Sequence, residues 1–87
     1  MSEASAIEFP CQFPIKMMGR DTPEFRATAR ALVEKHAGPV ADDAVQAALS
    51  RNARFVSVTV TITAESQEQL DSIYRDVTSH DDVLMAL

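Results

Sequence analysis

The alternation of apolar and polar side chains is sharpest between Arg54 and Ala64, RFVSVTVTITA. Val56, Val58, Val60, Ile62 and Ala64 alternate with Phe55, Ser57, Thr59, Thr61 and Thr63. That period of two fits a strand with one apolar and one hydroxylated face. Phe55 to Thr63 contains no Gly, Pro or charge and is almost wholly β-branched or aromatic, so this strand is expected at the centre of a sheet.

The flanking patterns predict the other elements. Pro10 and Pro14 hold EFPCQFPIKMMG extended at first, and Ile15 to Met18 reads as a short apolar strand with Pro14 at its start and Gly19 at its end. Asp21-Thr22-Pro23-Glu24 then opens a helix, with Asp21 or Thr22 as N-cap and Pro23 in the first turn. Phe25, Ala29, Leu32, Val33 and His36 follow at helical spacing, and Gly38-Pro39 stops the helix, which is expected over Thr22 to His36.

Val40 to Asp43 is a connector. Ala44 to Arg51, AVQAALSR, is ambiguous, because its alanines favour a helix while its shortness and the central strand's need for a hydrogen-bonding neighbour favour a strand. Strand is the assignment taken. Ser66 caps a second helix with Gln69 as its box partner, and Leu70, Ile73, Tyr74 and Val77 form its apolar stripe to near Thr78. Val83 to Leu87 is short and apolar, as a last strand would be.

The order βαββαβ is that of an α+β, ferredoxin-like sandwich: a four-stranded antiparallel sheet with two helices on one face. The strands around Phe13 and Phe55 take the centre, while Ala44 to Arg51 and Val83 to Leu87 take the edges. Met17 and Met85 are expected in the core. Residues 1–8 are expected to be a flexible tail and residues 9–87 a single domain.

Composition narrows the class. The chain has 87 residues, 46% hydrophobic and 24% charged, and no apolar run reaches the roughly 20 residues of a membrane span. Its first residues lack the basic and apolar layout of a secretory signal, and the lone Cys11 suits a reducing cytoplasm. With a net charge of -5 and eight scattered basic residues, nucleic acid is not an expected partner.

Candidate chemistry is sparse. Cys11, His36 and His80 form no ligand pair, so neither a metal nor a cofactor is expected. His36 suits the dipole at a helix C-terminus, and Asp42-Asp43 and Asp81-Asp82 read as solvated turns. The loop Gly19-Arg20-Asp21-Thr22 joins a permissive Gly and a guanidinium to the N–H groups of a helix start, parts that suit a carboxylate or phosphate. Ser57, Thr59, Thr61 and Thr63 form a hydroxyl row that is either solvated or a partner's footprint. Ala47 and Leu49, on an edge strand without Pro, and Thr59 and Thr61 are the candidate interface.

FPCQFPIKMMG, the helix ending in KHAGP, and RFVSVTVTITAESQEQLDSIYRDVTSHDDVLMAL together resemble the YbeD-like family, also labelled UPF0250, from about Glu8 to Leu87. The resemblance implies a ferredoxin-like fold similar to ACT domains, regulatory modules that often pair and bind amino acids. It also implies a bacterial, cytoplasmic setting near lipoate attachment. The ACT ligand loop typically has Gly after D-x-P; here Glu24 follows Pro23, adding bulk and negative charge where a carboxylate would approach. The expected function is a non-enzymatic regulatory or protein-interaction module, acting with a protein partner or as a homodimer. The alternative is a sensor of a small anionic metabolite such as an amino acid or a lipoate-related acid.

Overall fold

The computed structural model describes residues 8–50, 52 and 54–87. Residues 1–7 of the expected tail, and Arg51 at the end of the expected second strand, lie outside the described residues. The elements are β1 (Cys11–Arg20), α1 (Pro23–Ala37), a short 3-10 turn (Asp42–Ala44), β2 (Val45–Leu49), β3 (Phe55–Ala64), α2 (Gln67–Ser79) and β4 (Met85–Ala86). The strands run β2-β3-β1-β4 across one antiparallel sheet, and the whole is the ferredoxin-like βαββαβ sandwich.

The two helices start where side chains can satisfy their first N–H groups. Thr22 Oγ1 accepts from Phe25 N at 2.9 Å, and Ser66 Oγ accepts from Gln69 N at 3.1 Å while Gln69 Oε1 accepts from Glu65 N at 2.7 Å. α1 ends at Gly38, whose φ of 81° is strained for other residues and whose N–H reaches Glu34 O at 2.9 Å. Phe25, Ala29 and Val33 of α1 and Leu70, Ile73 and Val77 of α2 then close over Ile15, Met17, Val56, Val58, Val60 and Ile62 of the sheet. Burying each large apolar side chain contributes about 1.5–3 kcal/mol, so this layer is the main source of stability.

β1 is longer than expected, running through Pro14 and Gly19 to Arg20. The reason lies in strand parity. Lys16 turns its backbone toward β4, giving its N–H to Leu87 O at 3.3 Å and accepting from Leu87 N at 2.8 Å. Pro14, two residues earlier, points its nitrogen to the same side but beyond the end of β4, so its missing N–H removes no ladder bond. Gly19 stays within the strand because the Phe25 ring lies against it; a Cβ there would stand 2.5 Å from a ring carbon and 2.7 Å from Asp82 O.

Parity also corrects the expected place of Met85. Met17 is fully buried, but Met85 stands opposite Met18 on the face away from the helices and is 53% exposed. Ala86, opposite Met17, takes the inward position, and a small residue suffices at an edge the helices barely cover.

Candidate functional site

Among the described residues nothing covers the side of the sheet away from the helices, and register organises that side into rows. Gln46, Thr59 and Lys16 lie across β2, β3 and β1, with Leu87 beyond; Ala48, Ser57, Met18 and Met85 form the next row. Phe55 and Arg20 face each other at one end, where the Arg20 guanidinium carbon lies 5.8 Å from the Phe55 ring centroid. Thr63 and Gln12 meet at the other, joined by a 2.8 Å hydrogen bond from Gln12 Nε2 to Thr63 Oγ1. The hydroxyl row sits here as its alternation requires.

Charge distinguishes this face. The chain has 13 acidic residues, and none of those among the described residues falls in a strand. Lys16 and Arg20 are the sheet's charged residues, and neither forms an ion pair with a described residue. The helices and connections carry the carboxylates instead, many of them paired: Asp21 with Arg26 at 2.9 Å, Asp42 with Arg30 at 2.9 Å, and Asp76 with Lys35 at 3.2 Å.

The loop expected to bind an anion is occupied largely with its own structure. Gly19 is buried under Phe25, the Asp21 carboxylate accepts from Arg26 Nε and Nη2, and Thr22 Oγ1 caps α1. Arg20 alone of the four carries a charge with no ion-pair partner among the described residues, and it leans over Phe55. A hollow of about 180 Å³ opens beside the loop, lined by Arg20, Thr22, Phe25, Leu84, Asp81 and Asp82. The fold thus brings the Asp81-Asp82 turn against the Gly19 loop, a neighbourhood that lowers the potential for an anion.

The four candidate interface residues divide between two faces. Ala47 and Leu49 stand opposite Val58 and Val56, on the helix side, yet both are exposed because the helices do not reach β2. Thr59 and Thr61 lie half-buried on the uncovered side. Lys16, Met18, Gln46 and Met85 belong to that side too and were missed. Parity applied to β1 as well as β3, with the lack of any Asp or Glu in either segment, was the signal for Lys16 and Met18.

Elsewhere the polar groups serve the fold. Glu34 accepts from Val40 N at 2.9 Å, a bond that holds its carboxyl below the usual range against the cost of desolvation. Arg30 donates to Asp42 and to Val40 O, so this cluster clasps the connector to α1. Tyr74 Oη donates to Leu87 O at 2.7 Å, its ring packs edge-on to Phe13, and burial raises its pKa. Cys11 is half-buried against the core, and among the described residues no group of three or more His, Cys, Asp or Glu could hold a metal ion. No described helix is long and apolar enough to cross a membrane.

The chain belongs to the family described as protein of unknown function DUF493, which it matches over residues 4–87. A UPF0250 protein of Nitrosomonas europaea is 40% identical over 87 residues, covering 100% of both chains. A UPF0250 protein of Chromobacterium violaceum is 45% identical over 80 residues, covering 92% of this chain and 90% of its own. The solution structure of protein HP0495 from H. pylori superposes with a TM-score of 0.78 at 21% identity, over 99% of this chain and 90% of that one. The likeness is one of fold.

Proposed function

We propose that this chain is a non-enzymatic regulatory or protein-interaction module of the bacterial cytoplasm, and that its working surface is the uncovered face of the sheet. The observation that carries this reading is the make-up of that face: hydroxyls, amides, two cations and the Met18–Met85 pair, with no carboxylate on any strand. Strands disfavour Asp and Glu in general, but both of the charges that this face does carry are cations, in a chain of net charge -5. The face is open, with an open hollow of about 190 Å³ among Lys16, Gln46, Ala48, Ser57 and Thr59, a shape that suits a macromolecule laid across it better than an enclosed small substrate.

The test is site-specific photocrosslinking in cells, with the reactive group at position 59 on the face or at position 68 on the outside of α2. A discrete adduct from position 59 alone supports the reading. Adducts from position 68 alone, or from neither, overturn it.

A second reading, pairing of two copies through β2, is favoured by a separate observation. Val45 to Leu49 forms a sheet edge without Pro or charge, and Leu49 is 53% exposed. Two such edges joined antiparallel near Ala47 would make one eight-stranded sheet and leave the face free. Sedimentation of the wild type and of Ala47→Pro at two concentrations tests it: a monomeric wild type at high concentration excludes it.

A sensor of a small anion at Gly19 to Thr22 has less in its favour, since Asp81 and Asp82 line the same hollow. A thermal-shift screen of amino acids and lipoate-related acids, with Arg20→Ala as control, tests that alternative.

A further inference from the structure

We infer that the occupant of the uncovered face is an acidic amphipathic helix of a different protein, its carboxylates meeting Lys16 and Arg20 and its apolar stripe covering Met18 and Met85. This inference rests on the proposal that the face is the working surface, and it adds the chemistry of the partner.

Complementarity of charge selects this occupant. Lys16 and Arg20 project from the same side of β1, four residues apart, which is about 13 Å at the usual rise of a strand. Met18 lies between them, paired with the exposed Met85. The surface therefore reads cation, apolar, cation along one line. A helix rises about 1.5 Å and turns about 100° per residue, so carboxylates seven residues apart share one face about 10.5 Å apart and reach both cations through the long side chains of Lys16 and Arg20, with apolar side chains between them resting on the methionines. The adjacent Ser57 and Thr59 hydroxyls are further donors to an acidic side chain.

The same charges exclude the neighbouring choices. A second copy stacked face to face about a two-fold axis would set the cations of one chain against those of the other. A copy offering its acidic helices instead would join head to tail, a contact that builds a ring or a filament and not a closed pair. A long polyanion such as nucleic acid needs a run of cations, and this face offers two. Asp81 and Asp82 line the hollow beside Thr22 and Phe25, whereas the Arg20 guanidinium leans over Phe55 on the uncovered face, where a helix carboxylate meets it from the other side.

The test titrates the isotope-labelled full chain, observed by NMR, with three synthetic helical peptides sharing one apolar stripe. One has glutamates seven residues apart, the second has glutamines there, and the third lysines. The inference expects the glutamate peptide to shift the resonances of Lys16, Met18, Arg20, Ser57 and Thr59. It also expects binding about tenfold weaker for the glutamine peptide, for 0.5 M salt, or for the Lys16→Glu, Arg20→Glu double variant, whose fold is checked by its melting temperature. Equal binding of the glutamate and glutamine peptides to this face overturns the acidic partner and leaves the working surface standing. No shift on this face with any peptide overturns the acidic helix, and crosslinking from position 59 then decides separately whether the face is used at all.

Discussion

His36 Nε2 lies 2.6 Å from Asp76 Oδ2, joining the end of α1 to α2. Lys35 approaches the same oxygen at 3.2 Å, so one carboxylate meets an imidazole and an ammonium group from the neighbouring helix. The His36 hydrogen bond, followed by that of Lys35, holds the Asp76 carboxyl below its ordinary value of 3.8. A carboxyl depressed in the folded chain adds stability that is complete above its unfolded value and fades as pH falls through the folded one. Asp76→Asn is therefore expected to lower the melting temperature by a few degrees at pH 7 and to narrow its gap from the wild type as pH drops below about 4. Melts from pH 7 to pH 2 check this; a constant gap would remove the pair from the stability of the fold.

Gly19→Ala is expected to destabilise the domain by about 1–3 kcal/mol, the cost of overpacking. The Phe25 ring could turn aside, but the Asp82 carbonyl is backbone and stands 2.7 Å from the new methyl group. Denaturant unfolding of Gly19→Ala, with and without Phe25→Leu, separates the two contacts. Partial rescue by the second change is expected, since it relieves the ring and leaves the carbonyl.

The two faces of β3 should respond oppositely to charge. Val58 and Val60 are fully buried, so an aspartate at either puts an unpaired carboxylate in the core and is expected to cost about 4 kcal/mol or more, enough to unfold a small domain. Thr59→Asp and Thr61→Asp should be far milder, because both side chains reach solvent. Thermal melts of the four variants decide it, and equal losses would contradict the assignment of faces.

Removing residues 84–87 is expected to weaken the fold without abolishing it. β4 is held by Leu84 N to Met18 O at 2.8 Å, by the paired bonds between Lys16 and Leu87, and by the Tyr74 hydroxyl, while Leu84, Met85 and Leu87 remain more than half exposed. The loss is mainly of backbone hydrogen bonds, each worth about 1 kcal/mol net. A dispersed NMR spectrum with a lower melting temperature is the expected result; a collapsed spectrum would show that this segment is essential to the core.

Much of this architecture was legible from the chain alone, because local geometry has its own periodicity. The alternation at Val56 to Ala64 specified a strand and its two faces, and Thr22 and Ser66 marked helix starts through hydrogen bonds spanning three residues. The strand order followed once the elements were known, since right-handed crossovers leave few arrangements. The candidate site was half legible: Thr59 and Thr61 were visible by alternation, whereas β1 was cut short at Pro14 and Gly19 by residues that usually end strands.

Tertiary structure decided what depends on a neighbour distant in sequence. Pro14 is tolerated because β4 stops short of it, and Gly19 is demanded by Phe25 and Asp82. Met85 faces outward because its register places it opposite Met18, and a shift of one residue would have reversed it. His36 found Asp76 across forty residues, and Asp81-Asp82 came to rest beside Arg20. The amino-acid order specifies each element's own faces, but register between strands and pairing between helices arise from contacts that exist only once the elements have packed.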